Sequence, residues 1–514
     1  MTDRSAPSAL RLPRRDLLRG GMAGMLAASL PGSAFAGSGD DALRQAIMKG
    51  QPAAIDRLRE WIALPSIAAE GRDMDRGAAF MRDLALGAGF DRADIIPTGG
   101  APGVFATLDV GAPRTLGLYF MYDVKQFDAA EWSSPPLEGR LVDRPNLGTV
   151  MVGRGALNQK GPQATLLAGL YALRALGRKP PVNLVLVAEG EEEIASPHFH
   201  EIVARPQVLA ALRKCVGVII PESWQSPVDG GVVVKLGAKG ILEFELVVSG
   251  KAWGRGPQAD IHSSDAAIVD SPAWRLIGAL STLTTDGGNR PTIDGLMDKV
   301  RPMSARDREL IAQAARQINE AGYKKARGVT HWVDDLPWTD TLTRLSEQPT
   351  VNIQGLVSGH TGPGGKTVLP ARAAAKIEMR LVPDMTKDDT LRLLRAHLDR
   401  HGYGDVEIDV TGGYDPTETA ENSALVRACV STYERAGVPV IVYPRLAGSW
   451  PGVVFTGDPV RLPAGQFGLG HGANAHAPDE YYLIDSANPQ KILGMAQAAY
   501  AYIDFMAQIA RVPL

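Results

Sequence analysis

The sequence predicts an α/β fold: one domain on a mostly parallel, buried sheet flanked by helices, interrupted by an inserted α+β domain. Three observations predict it. Strand-like and helix-like segments alternate between residues 103 and 221. The runs "NLVLVA" and "CVGVII" are near-continuously apolar, as strands covered on both faces are. From residue 239 the runs "GILEFELVVSG" and "ARAAAKIEMRLVP" instead alternate apolar with polar residues, the pattern of half-exposed strands.

In chain order, Arg14-Arg15-Asp16-Leu17-Leu18 precedes a modestly apolar, glycine-containing run and then Ala34-Phe35-Ala36, an A-x-A-like cleavage site. Residues 1–36 thus read as a twin-arginine export signal, with a periplasmic or secreted mature protein. Residues 41–63 space Leu43, Ile47, Ile55, Leu58 and Ile62 along one helical face. A helix over 76–87 follows, then strands over 103–108 and 115–122, a helix over 161–176, a strand over 182–188, a helix over 197–209 and a strand over 216–221. Residues 41–235 form the first part of the main domain. The inserted domain spans 236–412 and holds a helix over 271–283 and a long irregular stretch. Residues 413–514 return to the main domain with a helix over 422–436, a strand over 438–442, a glycine-rich region and a closing helix over 488–506.

At 514 residues the chain is long enough for two or more cores. A formal charge of -3 and a pI near 6.3 give no basic field for nucleic acid. No apolar run has the length of an integral membrane span. Small molecules or peptides are the default partners. Cys215 and Cys429 stand far apart, and a chain of this size does not need a disulfide.

Candidate chemistry sits at strand ends, where open α/β sheets place their sites. Asp123 follows the strand "LGLYF", the run Glu191-Glu192-Glu193 follows "NLVLVA", Glu222 follows "CVGVII", and His476 lies in "GANAHAPDEYY". Three adjacent glutamates ordinarily make a solvated face; here the company they keep points elsewhere. The ordered set "MYDV", "GRGALNQKGP", "EGEEEIAS", "IIPESW", "ADIHSS", "KTVLP", "MRLVP", "AGSWPG" and "NAHAPDEYY" resembles the zinc metallopeptidase family of carnosinases, aminoacylase and succinyl-diaminopimelate desuccinylase, over almost the whole mature chain.

That resemblance implies a catalytic domain holding two zinc ions and an inserted lid domain through which such enzymes often dimerise. It makes Glu192 the general base, and Glu193, Glu222 and His476 metal ligands. Asp123 becomes the carboxylate that orients the first histidine ligand. His262 matches a lid histidine that reaches the substrate, often from the partner subunit. Arg380, Thr367 and Ser449 match residues that hold the substrate's free carboxylate, a task suited to arginine's planar fork.

Two departures fall on the ligands themselves. Met121 stands where the family has its first histidine, and Asn158 where it has the aspartate bridging the metals; Gln159 replaces a following aspartate. A cocatalytic pair needs imidazole and carboxylate ligands to offset two double charges, and a thioether and a neutral amide serve poorly. The expectation is one zinc or other divalent ion at most, or none. Three readings stay open: an amidohydrolase of dipeptides or N-acyl amino acids with a one-metal or vestigial site; a metal-independent enzyme using Glu192 for hydrolysis, elimination, isomerisation or cyclisation; and a non-catalytic binding protein for such molecules. The helix over 271–283 could pair two subunits, although an apolar helix face more often packs internally.

Overall fold

The computed structural model describes residues 40–513, so the export signal expected over 1–36 lies outside them. A six-stranded sheet forms the centre of the main domain, in the order Arg92–Ile96, Gly103–Leu108, Asn183–Glu189, Thr115–Met121, Cys215–Pro221, Ala464–Phe467. The first two pairings are antiparallel and the other three parallel. Side chains alternate across this sheet, and both faces are covered, which is why its strands read as continuous apolar runs. Leu118, Phe120, Leu184, Leu186 and Ala188 pack into one core, together with buried residues of the helices Asp41–Ala63, Met74–Ala88, Gly161–Ala175 and Met495–Arg511. Tyr119, Val185, Val187, Val218 and Ile220 pack into the other, around Phe199, Trp450 and Phe455.

The second sheet has the order Thr350–Ser358, Arg372–Leu381, Gly240–Ser249, Glu407–Tyr414, antiparallel throughout. Its period of two buries Leu242, Phe244, Leu246 and Val248 against Leu276, Ala279 and Leu283 of the helix Pro272–Leu283. That helix therefore spends its apolar stripe within its own chain, while Trp274 and Ile277 remain exposed. Among the described residues no helix is long and apolar enough to cross a membrane.

Several elements differ from the sequence expectation. The helix over 197–209 is two helices, Phe199–Val203 and Pro206–Leu212, because Pro206 cannot donate a helical hydrogen bond and holds Arg205 extended at φ −59°, ψ 129°. The closing helix starts later, at Met495, after an extended Gly494, and runs to Arg511. The stretch expected to be irregular contains the helices Ala305–Gln317, Glu320–Arg327 and Trp338–Glu347; Ser304 and Asn319 cap the first two through the N–H groups of Asp307 and Gly322. Their thin apolar stripe, Ile311, Ala314 and Leu342, is buried on Tyr443. A small antiparallel sheet of Arg140–Arg144, Gly148–Val152, Tyr481–Ser486 and Gly472–Ala473 was also unforeseen. Cys215 and Cys429 are buried, unpaired, and belong to different cores.

Candidate active site

Thr115–Met121 and Asn183–Glu189 run parallel with Met121 opposite Glu189, so both strands open at the same edge of the sheet. Met121 is buried there as an ordinary apolar side chain. Asp123, fully buried just beyond, accepts the backbone N–H groups of Glu192 (3.3 Å) and Glu193 (3.0 Å). It thereby holds the short turn Glu192–Ile194 in place, a task that needs no histidine at position 121. Burial, then the nearby Glu193 charge, pushes the Asp123 carboxyl up to about 8 against the pull of those N–H donors.

The glutamate run is no solvated face, since each member is placed differently. Glu191 is buried and accepts Ala101 N–H at 3.0 Å, with its other oxygen 2.8 Å from His198 Nδ1. Glu193 is buried: Asn158 Nδ2 donates to Oε1 at 2.7 Å, Lys125 Nζ lies 3.4 Å from Oε2, and His476 Nε2 lies 3.2 Å from that same oxygen. Lys125 also donates to the Glu193 carbonyl oxygen. The same Asn158 Nδ2 stands 2.9 Å from His476 Nε2. Glu192 alone has no side-chain hydrogen bond among the described residues. Burial and the charges of Glu193, Asp123 and Glu189 hold its carboxyl well above the usual range, with Lys125 opposing. These surroundings favour its protonated form.

Five residues escaped the sequence reading. Glu189 is a further buried acid, bonded by Tyr119 Oη (2.8 Å) and Ser196 Oγ (2.9 Å). Its signal was a carboxylate ending an apolar strand. Lys125 lies two residues beyond Asp123 and gave no signal as a single charge. The buried pair Arg154–Glu480 (2.8 Å) organises the loop below: Glu480 accepts the N–H groups of Gly155, Leu157 and Asn158, while Arg154 donates to the His476 carbonyl at 3.1 Å. Both residues lie inside motifs already quoted. Tyr414, half-buried, stands one strand from Arg380, both pairing with Ile241, and the charges of Glu192 and Glu189 help burial raise its phenol while Arg380 opposes them.

The ligand set expected from the sequence assembles only in part. Glu193 meets His476, while Glu222, expected at the other metal with positions 121 and 158, is engaged by other side chains. Its Oε1 accepts Gln466 Nε2 at 2.8 Å, and Gln466 in turn accepts Lys235 Nζ at 3.1 Å. Burial pushes Glu222 up to about 7, with Lys235 and a hydrogen bond from Gln159 pulling it down. Among the described residues, the sole group of three carboxylate, imidazole or thiol ligands within 4.8 Å of one another is Asp294, His397 and His401, on the second sheet's helical layer. At the glutamate site an amide N–H₂ points at the Glu193 oxygen and the imidazole lone pair that a cation would need. Together with Met121, this donor set does not fit a two-metal centre.

Of the expected clamp, Arg380 and Ser449 come together, Nη1 to Oγ at 2.9 Å, and Glu378 steadies the guanidinium through Nε at 2.6 Å. His262 and Thr367 are also neighbours, since Ser263 N–H donates to the Thr367 carbonyl at 3.2 Å. Both are exposed, and His262 bonds only to Ser264. No hydrogen bond or ion pair joins these two to Arg380 or to the glutamates.

The profile of the family described as Peptidase family M20/M25/M40 matches residues 122–491. The Cys-Gly metallodipeptidase dug1 of Schizosaccharomyces pombe is 29% identical over 288 residues, 55% of this chain and 57% of that protein, so the match spans less than two thirds of that relative. The human Beta-Ala-His dipeptidase is 26% identical over 387 residues, 70% of this chain and 73% of that one. Among solved structures, the M20 family metallo-carboxypeptidase Sso-CP2 from Sulfolobus solfataricus superposes with a TM-score of 0.77 at 30% identity, covering 89% of this chain and 99% of its own. Human carnosine dipeptidase 1 shares the fold, with a TM-score of 0.75 at 21% identity over 92% of this chain and all of its own.

Proposed function

Because the chain belongs to peptidase family M20/M25/M40, we propose that it hydrolyses the amide bond of a small molecule with a free carboxylate, a dipeptide or an N-acyl amino acid. The observation that carries this reading is the sheet register: Arg380 and Tyr414 flank Ile241 on neighbouring strands, and the Tyr414 strand passes the turn after Glu192 at Gly412, where a Cβ would lie 2.8 Å from Ala195 Cβ. The strand beside the Arg380 clamp thus runs against the turn that carries Glu192. In this reading Arg380 and Ser449 bind the carboxylate and fix where the amide lies. Glu192 then gives its proton to the departing nitrogen as water adds to the carbonyl carbon and the C–N bond breaks; it recovers a proton from that water. A carboxyl whose environment favours its protonated form suits the first half of that cycle.

The test is turnover of a panel of dipeptides and N-acyl amino acids by the purified protein, with Glu192→Gln as control. Release of free amino acid by the parent and its collapse in the variant support the reading. Tight binding of a dipeptide without turnover by either protein would replace it with the binding-protein reading.

Two further parts belong to the same proposal. Export through the twin-arginine segment would be read from cleavage after Ala36 and its loss in an Arg14→Lys, Arg15→Lys double variant. Pairing with a second copy is supported by the strand Thr350–Ser358, an open sheet edge on which Ile353, Leu356 and Val357 are exposed. Sedimentation as a monomer at micromolar concentration would dismiss the dimer.

A further inference from the structure

We propose that Lys125 is the resident cation of this site: with the Asn158 amide it takes the charge-balancing place of a divalent ion between Glu193 and His476. The catalytic side of this assignment rests on the amide hydrolysis proposed above; the exclusion of metal does not.

The argument begins with Glu193, whose side chain is only 3% exposed and carries a carboxylate that needs positive neighbours. Both of its oxygens are already served. Asn158 Nδ2 takes Oε1, and Lys125 Nζ and His476 Nε2 approach Oε2. A metal ion coordinating Glu193 and His476 would have to displace the Asn158 amide from the carboxylate and from the imidazole at once. It would also have to sit beside an ammonium 3.4 Å from the shared carboxylate.

Charge makes that costly. At about 4 Å and an effective dielectric near 20, one unit charge changes a binding constant on the order of a thousandfold, and a divalent ion doubles the effect. The lysine is not placed there by chance of rotamer. Tyr122 N–H bonds the Glu189 carbonyl (3.0 Å) and Val124 N–H the Ser66 carbonyl (2.8 Å), so the backbone leading to Lys125 is tied on both sides. The ammonium then spans to the Glu193 carbonyl oxygen as well as its carboxylate. Opposite it, the Arg154–Glu480 pair holds the loop that presents Asn158. Two separate backbone segments thus deliver the two donors that stand where a cation would be ligated.

Zinc binding to the folded, full-length protein tests the assignment, by elemental analysis and calorimetry. All proteins carry His401→Ala, so that the Asp294–His397–His401 cluster contributes no signal. The parent is expected to hold no stoichiometric zinc. Lys125→Gln, at a side chain 42% exposed and so tolerant of change, is expected to bind zinc at least about tenfold more tightly, and Lys125→Arg to behave as the parent. The triple variant Met121→His, Lys125→Gln, Asn158→Asp is expected to gain at least about a hundredfold. Stoichiometric zinc in the parent, lost in His476→Ala, would overturn the assignment. So would a Lys125→Gln protein, folded by circular dichroism, with unchanged zinc affinity. Turnover separates the two proposals: activity abolished by chelator and restored by zinc overturns the role of Lys125 while amide hydrolysis stands. The expected zinc pattern without turnover of any dipeptide or N-acyl amino acid leaves Lys125 assigned and removes the hydrolysis.

Discussion

Asp123 and Glu193, buried at the edge of the central sheet, are each held by partners in their own chain, whereas the exposed His262 side chain on the inserted segment bonds only to Ser264. The difference follows from burial. A carboxylate removed from water cannot wait for a ligand to satisfy it, so the buried cluster must be complete before substrate arrives. An exposed histidine keeps water as its partner and can be engaged later, by a substrate or by a second copy of the chain. Arg380 and Ser449 are intermediate: paired with each other, yet half-buried and reachable.

The largest expected effect tests Glu192, half-buried beside that cluster and without a side-chain hydrogen bond among the described residues. Glu192→Gln should lower turnover about 10²–10⁴-fold while dipeptide affinity, read by calorimetry, changes only a few-fold. Next comes the support beneath Asn158. Glu480→Ala leaves Arg154 charged and buried without its partner, and should destabilise the fold by about 3–5 kcal/mol in urea denaturation; an effect below about 1 kcal/mol would show the loop is held by other means. Arg380→Ala should weaken binding of a carboxylate-bearing dipeptide by about 1.5–3 kcal/mol and leave the C-terminally amidated peptide unaffected. Equal losses for both peptides would break the clamp assignment.

A smaller effect is set by pH. The Asp123 carboxyl is raised in the folded state, from an ordinary 3.8 to about 8, so between those values the native chain holds a proton that the unfolded chain has released. Its contribution to stability is present in full below pH 4 and is lost as pH rises toward 8, with a slope of at most about 1.4 kcal/mol per pH unit. Asp123→Asn should remove that part of the fall in denaturation curves taken at successive pH values. Smallest of all, His262→Ala should leave stability within about 0.5 kcal/mol of the parent, since the side chain is exposed and bonded only to Ser264. A larger loss would mean that the exposed half of the comparison is also built into the fold.

Legibility in the sequence followed burial as well. The strands Gly103–Leu108 and Cys215–Pro221 and the helix Asp41–Ala63 were visible because each is covered over a whole face or both, which leaves a pattern along the chain. The helices between 305 and 347 were not, because few apolar residues mark them and polar, capped helices resemble loops. Among site residues, Glu192, Glu193, His476 and Asn158 were found through the motifs that contain them. Glu222 was singled out the same way, and its present partners, Gln466 and Gln159, come from two other segments that no local pattern names.

By itself the sequence determined the α/β layering, the family, and the loss of a histidine at position 121 and an aspartate at 158, because periodicity and residue identity are properties of the chain. Only the tertiary structure decided what replaced them. Lys125, Glu189, Arg154 and Glu480 bond to partners from 68 to 326 residues away. Whether a lone charge is solvent decoration or the counterion of a buried carboxylate depends on what folding brings within a few ångströms of it, and no local pattern encodes that distance.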